Sequence, residues 1–391
     1  MSAGGAEPAV LRWITALQDL PATQWDALLE QADAPTPFMR AGCLQALDAA
    51  ARSEQGWRAR FATLWRAERL VAACPLYLKA HSWGEFVFDQ AWARAYEVHG
   101  LRYYPKALVA VPFTPVPGSR LLAIGPAERL ALVEQLQEWV QQQGLSGLHV
   151  LFGSVADAQA LQACGFSRRE QPQFHWKRAP HWQGFADFLA DLRRDKRKKI
   201  QQERRRVAEA GVQVQVLRGS AITAAEWDFF YACYTRTYAL RGMSAYLPRS
   251  VFEQGLGEQA DWVLFLAWQG GERVAAALVA VDWRAGTAFG RHWGALRELD
   301  CLHFELCYYA PLAWCLEQGL QRFEGGAQGE HKMARGLLPV GTHSQHWLVH
   351  AEFQDAVARF TEAEQQAVGA YEEELAARSP FKPPGPRKPL A

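Results

Sequence analysis

The sequence predicts a mixed α/β protein made of two related halves, each a mixed, mostly antiparallel sheet flanked by helices. Two internal matches and the order of the elements carry this expectation. Ala59 to Trp65 and Leu70 to Leu78 flank the turn Arg66-Ala67-Glu68-Arg69, and Val263 to Trp268 and Val274 to Val281 flank Gln269 to Arg273, so each half opens on an antiparallel hairpin. Trp65, Glu68, Arg69 and Ala72 answer to Trp268, Glu272, Arg273 and Ala275, with one residue inserted. Further on, Gly165-Phe166 precedes His175-Trp176 and Gly336-Leu337 precedes His346-Trp347, with 10 residues from Gly to His in both. Two matches in the same order are the mark of a duplicated domain. In each half the strands come first as a meander and then through helical crossovers, which gives a mixed sheet. The length of 391 residues agrees, since a domain takes roughly 150 residues.

The elements follow in order. Trp25, Leu28 and Leu29 share one face of a helix over Ala22 to Gln31. Ala91 to Pro117 reads as extra material, a helix and then an irregular edge segment, because Pro112, Pro115 and Pro117 would break a central strand. Leu148 to Phe152 is a short strand. Phe185, Phe188, Leu189, Leu192, Ile200 and Val207 fall on one face of a helix that Gly211 stops. Between Arg193 and Arg206 that helix carries nine basic residues against two acidic ones, an excess of +7. Thr287 to Trp293 is a strand, His303 opens an apolar helix, and Leu320 to Glu324 is the next strand. A helix bearing Glu362, Glu364, Glu372, Glu373 and Glu374 precedes a loose tail rich in Pro and Lys. The expected organisation is a first domain over 1–180 with the insertion 91–117, a basic connecting helix over 181–211, a second domain over 212–378 and a flexible tail over 379–391.

With 42 Lys and Arg against 41 Asp and Glu, the net charge of +1 excludes gross attraction to nucleic acid or membrane, though not a local basic patch. Met1 to Pro8 has neither the basic nor the apolar region of a signal peptide. No stretch of about 18 apolar residues is free of charge, so no integral membrane segment is expected. The seven cysteines are scattered among apolar neighbours without metal-binding spacing, as in a cytoplasmic protein with reduced thiols.

The densest polar constellation is Phe323 to Gly336, FEGGAQGEHKMARG. Its glycines, Gly325 and Gly326 among them, permit tight turning and close approach to a ligand, while Glu324, Gln328, Glu330, His331, Lys332 and Arg335 supply carboxylate, amide, imidazole and cations. A helix N-terminus with ordinary surface charges is the bland alternative. Upstream, Glu305 and Tyr309 lie one turn apart, with His303 and Tyr308 nearby. Arg291 and His292 take opposite faces of the preceding strand. Neither a Walker A loop nor a dinucleotide fingerprint nor a nucleophile elbow is present. No metal site is expected: His343 and His346 fall on opposite strand faces, and no carboxylate joins them and His350. Lys196, Arg197, Lys198, Lys199 and Arg204 on the basic helix form either a face that is solvated or docked against the acidic C-terminal helix, or a contact for phosphates of a nucleotide, CoA or RNA.

The run HFELCYYAPLAWCLEQGLQRFEGGAQGEHKMARGLLP resembles the FemAB-like family, bacterial proteins labelled peptidoglycan biosynthesis/recognition within the GNAT acyltransferase superfamily. So do PLYLKAHSWGEFVFDQAWARAYE, YYPKALVAVPFTPVPGSRLL, QFHW and RRDKRKKIQQERRR. The resemblance covers about residues 10–385 and implies tandem GNAT-like domains. It also implies acyl or aminoacyl transfer, from aminoacyl-tRNA or an acyl thioester such as acyl-CoA, to an amine-bearing small molecule or peptide, with a cell-wall precursor as the model acceptor. Under that reading Glu305, Glu324, His331, Tyr308 and Tyr309 are the candidate catalytic groups. Arg291, His292, His303, Gly325, Gly326, Gln328, Lys332 and Arg335 are the candidate substrate contacts, and the basic helix is a candidate tRNA contact. No covalently held cofactor is expected. The chain departs from acetyl-CoA enzymes at Gly294 to Asp300, which lacks their [QR]xxGx[GA] loop, and at Pro115 to Arg120, which has one glycine. A non-catalytic module binding a cell-wall peptide, a nucleotide or RNA is the alternative.

Overall fold

The computed structural model describes residues 8–51, 56–254, 256, 260–327 and 329–383. The chain divides into two compact units, Met1–Gln171 with Tyr246–Gly257 and Gly341–Gly369, and Pro172–Ala245 with Glu258–Val340 and Ala370–Ala391. These units are discontinuous in sequence, whereas the expected domains ran in chain order.

In chain order the strands are β1 (Val10–Ile14), β2 (Trp57–Arg66), β3 (Arg69–Lys79), β4 (Lys106–Val109), β5 (Leu122–Ala123), β6 (Gly147–Leu151), β7 (Ser167–Lys177), β8 (Val212–Arg218), β9 (Ala260–Gln269), β10 (Glu272–Asp282), β11 (Thr287–Ala295), β12 (Arg322–Glu324) and β13 (Leu338–Leu348). The first unit orders its strands β1-β2-β3-β4-β6-β13, with β5 beside β3; the second orders them β8-β9-β10-β11-β12-β7. Strand directions match position by position: three antiparallel pairings, one parallel (β4 with β6, β11 with β12), then one antiparallel. Each half of the chain thus gives its last strand to the other half's sheet. The two units repeat one strand order, and their closing strands are exchanged.

The exchange sets the two histidine-tryptophan pairs in equivalent registers. His175 pairs with Glu324 and Trp176 with Phe323, while His346 pairs with His149 and Trp347 with Leu148. The hairpins match without the expected insertion. Arg66 pairs with Arg69 and Gln269 with Glu272, so both turns hold two residues, and each returning strand then bulges by one residue, at Val71 and Val274. Arg69 therefore answers to Glu272, one place from the sequence alignment.

Three further expectations are corrected. The segment after the helix Gln90–Val98 is no edge: Lys106–Val109 lies between β3 and β6, because Pro112, Pro115 and Pro117 all come after the strand has ended. The basic helix is two helices, Phe185–Asp191 and Arg194–Glu209. Leu192 is extended and fully buried and bridges to Phe381, a contact incompatible with helix continuation. The same bridge docks the first residues of the expected loose tail, for Phe381 stacks on Trp182 and Pro380 O accepts from Arg193 N–H; residues 384–391 lie outside the described residues.

Each unit packs around a large apolar core. In the first, β2, β3, β4 and β6 lay Ala62, Leu64, Leu76, Val109 and Val150 against Leu132, Val133 and Leu136 of the helix Pro126–Gln142. In the second, β9 and β10 bury Val263, Phe265, Ala277 and Val279 against Leu306, Leu312 and Leu316. No helix among the described residues is long and apolar enough to cross a membrane. The exchange has a consequence for folding: a chain ending at Gly336 lacks β13, leaving β6 with an open edge and His149 without its pair. Such a chain should lose cooperative unfolding of the first unit, read as a broad thermal transition. A sharp, full-length-like transition would show that the exchanged strand is dispensable.

Candidate active site

β12 ends on Glu324, and the backbone then turns through Gly325 and Gly326. Gly325 N–H donates to Phe174 O at 3.2 Å. A Cβ there would come within 2.5 Å of the Leu337 side chain and 3.3 Å of the Lys332 side chain, so any larger residue would have to push Leu337 aside. Gly326 sits at φ +84° and its carbonyl accepts from Lys332 Nζ at 2.9 Å. Burial lowers the Lys332 ammonium to a pKa of about 8.

Glu324 is 7% exposed, and its Oε2 has no hydrogen-bond partner among the described residues. His175 Nδ1 is 4.0 Å from Oε1. Burial pushes the carboxyl up to about 8, against the pull of Arg322 and Arg291. His175 falls to about 4 through burial, with Arg322 and Lys332 adding to the shift, and is neutral at pH 7. Arg291, the bulged residue of β11, acts electrostatically on Glu324, while His292 packs edge-on against Tyr234 at 5.0 Å.

A π-turn over Glu305–Tyr309 interrupts the helix between Leu302–Phe304 and Ala310–Glu317. The wider turn gives Glu305 and Tyr309 separate partners rather than a shared one. Glu305 pairs with Arg204 at 3.1 Å, and Tyr309 donates to Glu203, the neighbouring residue of the basic helix. Glu203 also receives Arg335 Nη2 at 3.3 Å, and Arg335 Nη1 holds His331 O at 2.7 Å with its guanidinium 3.6 Å over the Phe304 ring. Tyr308 OH lies 3.1 Å from His331 Nε2. Burial lowers His303 to about 4, with His331, Arg335 and Lys332 contributing, and its ring lies 6.4 Å from that of His331. Glu203 is the hub joining the π-turn to the 3-10 turn Glu330–Arg335.

Most of the sequence-predicted residues therefore fall within one connected neighbourhood of the second unit. Gln328 lies outside the described residues. Lys198 and Lys199 are exposed on the helix Arg194–Glu209, with Lys196 and Arg197 half-buried beside them, whereas Arg204 turns to Glu305 and lies 4.8 Å over Phe185. Beside that pair runs a cleft of about 630 Å³, walled by Leu189, Val214, Ala313 and Trp314. Two glutamates of the acidic helix find partners off the basic helix: Glu364 pairs with Arg169 and Glu374 with Arg378.

A model of the FemAB-like family, described as peptidoglycan biosynthesis/recognition, matches residues 16–383. The chain belongs to the FemAB-like family. This FemAB-like chain is similar in fold to FemX (TM-score 0.52, 10% identity, 89% of this chain and 100% of that one). It is similar also to L-PGS from Bacillus licheniformis (0.53, 11%, 92% and 98%). The third is the C-terminal domain of a putative lysylphosphatidylglycerol synthetase from Agrobacterium fabrum (0.51, 9%, 88% and 95%). No curated protein matches it in sequence.

Sequence reasoning missed three features of this FemAB-like protein. Glu203 looked like a stray acid in a basic run; its signal was the spacing of three and four residues from Ile200 and Val207, which puts it on the buried face. His175 stands out in the sequence only as half of a repeat. In the first unit, Lys79 and Lys106 face each other across β3 and β4 with almost no exposure. Lys106 Nζ bonds Ser82 at 2.8 Å, Glu85 at 2.7 Å and also Asp89. A lone lysine closing or opening an apolar strand, as in PLYLK and KALV, was the available sign.

Proposed function

We propose that the second unit catalyses N-acyl transfer, an amine attacking the carbonyl of an activated acyl or aminoacyl ester with Glu324 as general base. The observation that carries this reading is the buried Glu324 carboxyl, with a free Oε2 at the head of a glycine turn and a pKa moved to about 8. A base works best when its pKa lies near the operating pH. The N–C bond forms as the C–O or C–S bond breaks; the amine's proton passes to Glu324. Lys332 supplies charge for the oxyanion, and Tyr308, hydrogen-bonded to His331, protonates the leaving atom. Burial keeps the Tyr308 hydroxyl protonated, raising its pKa well above the ordinary value. Family membership supports a cell-wall acceptor amine, and the exposed Lys198 and Lys199 suit the phosphates of an aminoacyl-tRNA donor.

The test is transfer of a radiolabelled aminoacyl group from charged tRNA, and of labelled acetyl from acetyl-CoA, to cell-wall precursor peptides. Transfer to an amine establishes the reading. Binding of tRNA or precursor without transfer favours a recognition module, the second reading, which gains support from the near-complete burial of Glu324, Lys332 and Arg335. For a tRNA donor, charge reversal at Lys198 and Lys199 should weaken binding and flatten its dependence on salt by about two phosphate contacts. An unchanged slope would remove the basic helix from donor recognition.

A further inference from the structure

β6 and β12 hold equivalent places in the two sheets, so the loop after β6 is the first unit's counterpart of the glycine turn. It leads into the helix Val155–Ala163, nine residues long, which Ser154 caps by accepting from Asp157 N–H at 3.2 Å. The open end of this helix is covered from outside. Asp33, between the helices Ala22–Glu30 and Ala41–Ala51, accepts from the Ser119 hydroxyl at 2.8 Å, the Ser154 hydroxyl at 2.8 Å and Ala156 N–H at 3.1 Å. Ser119 and Ser154 are buried while Asp33 is exposed: the cradle is built into the interior, and its occupant arrives from the solvent side.

A second observation points to a ligand. Gln345 of β13 is 1% exposed, yet neither of its amide atoms has a hydrogen-bond partner among the described residues. Its Oε1 lies 3.6 Å from where a Cβ on Gly153 would sit, beside Ser154. On the other flank, Thr36 Oγ1 and Arg120 Nε are also buried without partners among the described residues. A Cβ on Gly118, one residue before Ser119, would come within 2.5 Å of the Thr36 methyl and 3.6 Å of Arg120 Nη1. Buried polar atoms are nearly always paired, so such atoms gathered around one loop junction mark hydrogen bonds left for something else. The neighbouring Asp157 carboxylate is already taken up by the N–H groups of Arg120, Leu121 and Ser154 and by Arg129 at 3.5 Å.

We propose that this cradle is an anion-binding site of the first unit, that Asp33 keeps it closed as a tethered carboxylate, and that its ligand is a phosphate group on a small molecule. A helix N-terminus and two hydroxyls suit an oxyanion. Phosphate suits the junction better than carboxylate because it offers more acceptor oxygens where the Gln345 amide and Arg120 Nε–H are donors without partners among the described residues. The site is independent of the acyl-transfer centre in the second unit and does not rest on that reading.

The test uses inorganic phosphate as probe at constant ionic strength, with chloride as control. Asp33→Ala should lower the melting temperature, and phosphate should restore it saturably, with an affinity about tenfold tighter than for the wild-type chain. Adding Ser154→Ala to Asp33→Ala should abolish the restoration. In the wild-type chain, phosphate should speed amide exchange at Ala34, whose N–H donates to Ser119 Oγ at 3.0 Å, as the Asp33 segment lifts away; this readout stands even where Asp33→Ala fails to fold. No restoration by phosphate, restoration equal to chloride's, or unchanged exchange at Ala34 would each overturn the proposal.

Discussion

Glu324→Gln should cut transfer by about 10²- to 10⁴-fold and at the same time make the folded protein more stable in alkaline solution. Both effects come from one cause. Burial holds the carboxyl's proton to about pH 8, far above the ordinary value of 4.5. The folded state binds this proton more tightly than the unfolded chain does, so the group's contribution favours folding least when it must ionise. Wild-type stability should therefore fall as pH rises from about 4.5 to about 8, by an amount on the order of a few kcal/mol, and level off above. Glutamine cannot ionise and removes that slope while keeping the shape. The catalytic arm has the opposite pH dependence: wild-type turnover should climb through about pH 8 as the base forms. Denaturant midpoints and initial rates measured from pH 5 to about pH 9 give both curves. Parallel stability curves for wild type and variant would contradict the burial argument, and undiminished turnover in the variant would remove Glu324 from the chemistry.

Glu203→Gln should be among the most destabilising substitutions in the second unit, at about 3–5 kcal/mol. Its carboxylate accepts from Tyr309 and from Arg335, and both ions of the Glu203–Arg335 pair are over nine-tenths buried. Removing one charge leaves the other buried without compensation. The double variant Glu203→Gln with Arg335→Met should recover most of the loss, since a buried pair costs far more to break than to replace. A urea-based double-mutant cycle reads the coupling directly. Additive losses in the double variant would mean that Glu203 and Arg335 act independently and that the π-turn is held by other contacts.

What could be read from residues alone was whatever depends on local periodicity. The alternation in both hairpins, the spacing of the apolar helix after His303 and the interval from Gly to His gave two related mixed sheets and placed Glu324, Lys332 and Arg335 in one loop. The failures share a cause as well. Leu192 sits in an unbroken helical pattern, yet its bridge to Phe381 overrides the propensity of its neighbours. Lys106 follows a proline and precedes more of them, so it looked like an edge; its carboxylate partners are 17 and 21 residues away in sequence, beyond any local pattern. The hairpin alignment is off by one residue because it matches the Glu-Arg pairs Glu68-Arg69 and Glu272-Arg273, whereas the two turns are equally long and both returning strands bulge at the same place.

Side-chain spacing along the backbone carries the strand and helix pattern, the internal repeat and the inventory of polar groups. Which of those groups meet depends on contacts between segments far apart in the chain. The exchange of β7 and β13 sets His175 against Glu324 and His346 against His149, and the π-turn sends Glu305 and Tyr309 to neighbouring residues of the basic helix. Burial then sets the proton affinity: a carboxyl that would be ionised in water keeps its proton to about pH 8 once strand and glycine turn close over it, because a charge without a partner is costly away from solvent.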